Sequence, residues 1–434
     1  MKIICFVIIM SLALAGIGNS SAFALTNEQL LEKMNELENQ LAAVRSELTE
    51  LREERTRVVA VKPGKTVDEK IPVPKFTALP EIELYGFIKT DFSYDTSRTN
   101  NPDAPGYVMS EDGVGDDNQF AATAQNSRFG INMTGPEIWN GQVKGKVEID
   151  FLDATSDNSF RPRIRHLYLD VVFPGWSLLF GQTWDVVGPL GPATLNTNGW
   201  LWRAGNIGFR RTQARLTNIL DLSCGDCITT RISANRNIGA GNGTLNTGED
   251  SGWPLMEARV SYATRRLFDR KTEIGIGGLY GEEEFDRTPA ASDDHWSAKQ
   301  WGFVADAVIP VYDSITLKGE GFYGRDLNAF LAGIGLGANT TKETGILAYG
   351  GWGQVSYKMN DYIVLNSGYG IDNADKDDIN SGQRTRNQVV FANVIYSPVK
   401  HLKFGIEYSR WYTEYLNAND GENNRIQSAV IWDF

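Results

Sequence analysis

The sequence predicts an all-β transmembrane barrel of about sixteen antiparallel strands, preceded by a short periplasmic coiled-coil helix. Three observations carry that reading. From residue 81 to residue 434, short segments alternate apolar and polar side chains with a period of two. The joints between these segments alternate between tight turns and long acidic loops. A leader for export stands in front, yet no later stretch has the roughly 18 consecutive apolar residues of a membrane helix. A soluble sheet has no reason to sort its connections this way. A membrane barrel has short periplasmic turns and long external loops, and closing the sheet satisfies every backbone group in lipid.

Residues 1–24 read as a secretory signal. Lys2 supplies the charge, 3–17 the apolar core and Ala22-Phe23-Ala24 the cleavage site. Cys5 falls in the removed segment, and no lipobox surrounds a cysteine near the cleavage point, so no lipid anchor is expected. Residues 25–58 read as a coiled coil. Leu30, Leu37, Val44, Leu51 and Val58 form one heptad series, and Met34, Leu41 and Leu48 form the other. Lys33 with Glu38, and Glu47 with Arg52, suit a parallel arrangement of neighbouring helices. Residues 59–80 hold Pro63, Pro72, Pro74 and Pro80, which makes them an extended linker. Both ends of the barrel then lie on one side, and the helix is expected in the periplasm.

Residues 81–434 form the expected barrel. Over 142–151, Val143, Val147, Ile149 and Phe151 oppose Lys144, Lys146, Glu148 and Asp150. Leu402, Phe404, Ile406 and Tyr408 oppose His401, Lys403 and Glu407. Met256, Val260 and Tyr262 oppose Glu257 and Arg259. Tight joints fall at 135–140, 173–176, 220–227, 267–271, 310–313, 359–361 and 397–399. Long ones fall near 95–118, 153–160, 185–207, 239–253, 282–296, 327–343, 372–383 and 414–424. The final strand places Val430, Trp432 and Phe434 on one parity, and a terminal aromatic there resembles an assembly signal for outer-membrane barrels.

The net charge is −12, or −13 once the signal with its Lys2 is gone. The acids crowd the long loops. The first carries Asp95, Asp103, Glu111, Asp112, Asp116 and Asp117 against Arg98. Loop carboxylates of this kind can share divalent cations with lipopolysaccharide phosphates. An acidic chain without basic stripes argues against nucleic-acid binding.

Parity assigns Lys89, Lys144, Lys146, Arg231 and Arg259 to the barrel lumen, and Arg210, Arg211 and Arg215 cluster after the third long loop. A wall rich in guanidinium favours anionic solutes, because arginine matches carboxylates in bidentate geometry. Glu148, Asp150 and Glu257 oppose it. Arg161, Arg163 and Arg165 share parity with Leu167 and Leu169, which look lipid-facing. Either a β-bulge flips the phase near Arg165, or these arginines stand above the hydrocarbon, or they meet another subunit. The loop 185–207 is stiff at Pro189 and Pro192 and aromatic at Trp200 and Trp202, beside Arg203. It reads as an inward constriction or as a contact to a neighbouring subunit. Cys224 and Cys227 in a periplasmic turn suit a local disulfide. The three histidines show no metal-ligand spacing, and no nucleotide motif or enzyme constellation emerges, so no cofactor and no enzymatic activity are expected.

Leu84-Tyr85-Gly86-Phe87-Ile88-Lys89 on the first strand and Leu179-Phe180-Gly181-Gln182-Thr183-Trp184 at the approach to the third loop look like motifs of the DcaP-like porins. Together with the signal, the helix, the linker and the strand count, the chain resembles that family throughout. The resemblance implies a homotrimer in the outer membrane of a Gram-negative bacterium, the third loop as a constriction, and passive diffusion of small hydrophilic solutes, favouring anions such as dicarboxylates. The other expectation is a structural barrel whose arm links the outer membrane to the cell wall.

Overall fold

A computed structural model describes residues 80–152, 161–197, 199–222, 225–239, 248–249, 251–287 and 294–434. The chain divides into two units at residue 75. The expected signal, heptad helix and all of the linker but Pro80 lie outside the described residues.

The second unit is a closed antiparallel barrel of sixteen strands. They are β1 (Glu81–Asp95), β2 (in two pieces, Gln119–Thr123 and Arg128–Ile138), β3 (Gly141–Asp150), β4 (Arg163–Phe173), β5 (Trp176–Trp184) and β6 (Arg210–Asp221). Then come β7 (Cys227–Asn235), β8 (Leu255–Thr264), β9 (Thr272–Asp286), β10 (His295–Pro310) and β11 (Ile315–Arg325). The last are β12 (Leu347–Lys358), β13 (Ile363–Ala374), β14 (Arg384–Val399), β15 (Leu402–Tyr415) and β16 (Gly421–Asp433). Both pieces of β2 pair with β1. Closure comes from β1 pairing with β16, Phe87 opposite Asp433 through Asp95 opposite Arg425. No described helix is long and apolar enough to cross a membrane.

The burial pattern separates a membrane barrel from a sandwich. On β16, Ile426 and Trp432 are each 54% exposed, while Arg425 and Gln427 are 3% and 2% exposed. A water-soluble sheet would bury the apolar set. Here the apolar band faces out and the polar set faces in.

The tight turns fall at or near the places where the alternation puts them, though the last lies at Lys400-His401 and not at 397–399, and several external connections are shorter than expected. β9 runs on to Asp286 and β10 restarts at His295, and only residues 416–420 join β15 to β16. The reason is charge pairing that carries the ladder past the apolar band. Arg386 meets Glu414 at 2.8 Å, Arg287 meets Asp294 at 3.0 Å, and Lys299 meets Glu282. The gap in β2 has an inward cause. Ser127 Oγ accepts the Lys89 N–H at 3.0 Å, and Asn126 donates to Asp91 at 2.7 Å.

The two short motifs each turn on their glycine. A Cβ on Gly86 would lie 2.3 Å from Arg128 O and 2.9 Å from the Phe434 ring, which packs over this seam. Gly86 and Phe434 also exchange both backbone hydrogen bonds. Gly181 has φ +129°, and a Cβ there would lie 2.3 Å from Leu167 O.

Half of the inner wall departs from a wet lumen. Leu279, Val304 and Phe322 point inward and pack on Val187, Ile207, Leu327 and Phe330. Trp352, Val389, Phe391 and Trp411 do the same against Val108, Leu201 and Ala204. Three external loops (96–118, 185–209 and 326–346) thus fold inside and find an apolar surface there. Val108 N–H donates to Thr413 Oγ1 at 3.0 Å, and Gly208 N–H donates to Phe330 O at 2.9 Å.

Candidate functional site

The segment 185–209 is a strap laid along the inside of the barrel. Each step is fastened by an inward side chain of a different strand. Glu257 of β8 accepts the N–H groups of Val186 and Val187 at 2.6 and 2.9 Å. Glu320 of β11 accepts Leu190 N–H at 3.3 Å, and Gln354 of β12 accepts Ala193 N–H at 2.7 Å. Asn393 of β14 donates to Ala193 O at 2.7 Å. Glu407 of β15 accepts the Thr194 hydroxyl at 2.6 Å and Leu195 N–H at 2.8 Å. Lys89 of β1 donates to Leu195 O at 2.9 Å. The chain returns past Asn206, which accepts the Trp352 indole N–H at 2.9 Å. A buried loop must have its backbone groups paired, and these wall side chains supply the partners.

The opposite wall, β2 to β4, carries charge. The β4 register answers the question for Arg163 and Arg165. Glu148 pairs with His166 and Ile149 with Ile164, so Arg165 is an extra residue in the ladder. This bulge lets Arg163, Arg165 and His166 all face inward while Ile164 and Leu167 stay outside. Gln182 donates to Ile164 O at 2.9 Å beside the bulge. Arg163 grips Asp150 with two bonds of 2.9 and 2.7 Å. Arg165 reaches Glu148 and Asp150, each at 2.7 Å. Arg128 lies over the Phe87 ring at 5.2 Å, and Arg210 lies over Trp184 at 4.7 Å and Phe209 at 5.0 Å. Both have Arg165 and Asp150 as electrostatic neighbours. Among the described residues no acceptor reaches Arg128 Nε or Arg210 Nη1. Arg128, Arg163, Arg165 and Arg210 therefore outnumber Glu148 and Asp150.

Trp184, at the end of β5, packs with the strap residues Trp200 and Trp202 against this cluster, with Trp184 and Trp200 stacked at 5.2 Å. The residues expected in the strap are thus brought against the arginines. Gly191 between Pro189 and Pro192 sits under the Trp200 ring, where a Cβ would be 2.6 Å from it. Arg203 instead turns to the first external loop, 5.9 Å over the Tyr107 ring.

The other expected lumen cations divide into two groups. Lys89, Arg211 and Arg259 are consumed in buried pairs. Lys89 meets Asp91, Arg211 meets Asp185 at 2.6 Å, and Arg259 holds Asp306 with bonds of 2.9 and 2.6 Å. Lys144, Lys146, Arg215 and Arg231 are inward and partly accessible, with Lys146 at 4.6 Å over the Tyr85 ring. Arg128 was missed as a lumen candidate, and for Arg163 and Arg165 the register selects the bulge among the three alternatives.

Of the expected disulfide, Cys224 lies outside the described residues, and Cys227 is a free thiol among the described ones. In the described part of the turn Asp226 accepts the Thr264 hydroxyl at 2.7 Å, the Tyr262 hydroxyl at 3.0 Å and Arg266 Nε at 2.8 Å.

A closed sixteen-strand barrel with a strap inside is the architecture of outer-membrane porins, and comparison with solved structures agrees. The outer membrane channel DcaP of Acinetobacter baumannii is similar, with a TM-score of 0.67 and 22% identity over 82% of this chain and 97% of that one. The anion-selective porin of Comamonas acidovorans matches with a TM-score of 0.53 and 11% identity, over 82% of this chain and 100% of that one. Salmonella typhi OmpF, in complex with daunomycin, also gives 0.53 and 11%, over 82% and 98%. At these identities the likeness is one of fold. No family model and no curated protein matches the sequence.

Proposed function

We propose that the protein is an outer-membrane porin through which small hydrophilic solutes diffuse passively, with a preference for anions, dicarboxylates among them. The observation that carries this is the surplus of guanidinium over the described acids on the β2–β4 wall and at the start of β6, where among the described residues Arg128 and Arg210 have no acid of their own. Solutes pass between that wall and the strap, and the strap residues Pro189, Pro192, Trp200 and Trp202 narrow the route. Lys144, Lys146, Arg215 and Arg231 line it. An arginine in a low-dielectric channel attracts carboxylates strongly and offers a planar pair of donors. The porin fold of the similar structures supports the reading.

The assembly we propose is a homotrimer, with helix 25–58 in the periplasm and the acidic external loops facing lipopolysaccharide through shared cations. Phe434 serves as the assembly signal, in keeping with its place on the closing seam.

The test is single-channel recording of the purified protein in a planar bilayer under a salt gradient. Conductance in steps of three with an anionic reversal potential is expected. A cationic reversal potential would reject the arginine argument, and folded protein without conductance would reject the porin.

A further inference from the structure

The outer end of the barrel holds a knot of buried acids that the proposed passage does not use. Asp185, Glu257, Glu283 and Asp326 are all nearly inaccessible, with Arg211 and Arg215 as their guanidinium neighbours among the described residues, Arg215 beside Asp185 and Glu257 only. Arg211 grips Asp185 with Nε and Nη2 and donates to Ala329 O at 3.1 Å, while its Nη1 meets no acceptor among the described residues. Glu257 is committed to two strap N–H groups and to Asn235 Nδ2 at 2.8 Å.

Glu283 and Asp326 differ. Glu283 points inward from β9, opposite Ala298 of β10. Asp326 directly follows β11, whose Arg325 pairs with Trp301 on the other edge of β10. The two carboxyls therefore flank β10, with only Ala298 and Gln300 facing inward between them. Gln300 is turned to the Asp326 backbone oxygen at 2.7 Å, and the two carboxyls are electrostatic neighbours. Among the described residues no donor reaches Asp326 Oδ1, Asp326 Oδ2 or Glu283 Oε2. A buried carboxylate without a partner is costly, and a second one beside it adds repulsion. A shared proton would pair two of those oxygens and leave the third bare.

We propose that Glu283 and Asp326 bind a divalent cation of the calcium type. Hard cations take carboxylate oxygens, and water completes the remaining positions. The ion would tie β9 to the root of the inward loop 326–346. That loop meets the strap through the Gly208 N–H to Phe330 O bond, so the ion fastens the loop on which the strap rests.

The test uses the full-length protein in detergent, stripped with EDTA and titrated with Tb³⁺ under tryptophan excitation. Trp296 lies two residues from Ala298 on the same face of β10, within range to sensitise the ion. We expect saturable emission at one ion per chain, displaced by Ca²⁺. It should be lost in Glu283→Gln and in Asp326→Asn. It should persist in a variant with Asp112→Asn and Asp117→Asn, which removes surface acids only. Wild-type protein with no saturable, Ca²⁺-displaceable emission would overturn the proposal. So would emission that survives both site substitutions or vanishes with the surface pair. Should the site variants fail to fold, a wild-type unfolding temperature that Ca²⁺ leaves unchanged would overturn it too.

Discussion

Removing Glu407 should release the far end of the strap. Its carboxylate accepts the Thr194 hydroxyl, Leu195 N–H and Asn393 Nδ2, all within 2.6–2.8 Å. The first two belong to the strap. Hydrogen bonds to a charged acceptor contribute about 1.5–3 kcal/mol each. Glu407→Ala therefore biases the strap against its docked position by about 3–6 kcal/mol, or about 100-fold to 10,000-fold in population. Glu407→Gln keeps one carbonyl acceptor in place and should do far less. The assay is single-channel recording at 1 M salt, where the Debye length of about 3 Å screens the lost charge and leaves the steric effect. Glu407→Ala should show frequent switching between conductance levels and a higher mean conductance, with Glu407→Gln close to wild type. Folded Glu407→Ala channels as quiet and as narrow as wild type would refute the idea that this tether holds the strap.

Other expectations follow from single contacts. Arg210→Ala removes a guanidinium that has no acid partner among the described residues, so the reversal potential should move toward cation permeability at 0.1 M salt and much less at 1 M, as screening requires. Gly181→Ala forces a side chain into a left-handed backbone and onto Leu167 O; the strain of about 1–3 kcal/mol or more should lower the temperature of the heat-induced gel shift. At the periplasmic turn, the Thr264 hydroxyl, then Tyr262 and Arg266, hold Asp226 below the usual carboxylate range. A carboxylate lowered in this way stabilises the fold above its unfolded pKa and loses that contribution as the pH falls through its folded value. The amide protection factors at 225–227 should therefore fall below about pH 4, and Asp226→Asn should lower them at neutral pH already.

The barrel was legible because its rule is local. Each strand announces its two faces by alternation, and Gly86 and Gly181 stand in short motifs that the seam and the strap's approach require. The arginines of β4 were ambiguous for a physical reason, since one extra residue at Arg165 changes the face of everything after it and leaves no mark in composition. The tethers were illegible for another reason. Glu257, Glu320 and Glu407 look like ordinary charges on a wet wall, and their roles depend on N–H groups that are between 70 and 212 residues away in sequence. A signal did exist. At Val389, Val390 and Phe391 the alternation lapses and both faces are apolar, as at Trp301–Val304. A membrane strand that is apolar on its inner face needs something other than water against it. That lapse is concentrated on β9–β15, with Leu179 on β5 and Leu255 on β8 as lesser cases, whereas Arg128 sits on β2 and Arg210 at the start of β6. The strap and its companion loops fill the side of the lumen that water would leave. The other side is the one where, among the described residues, charge is least neutralised, so one asymmetry of the inner wall sets where the loops lie and, on the proposed function, where an anion would pass.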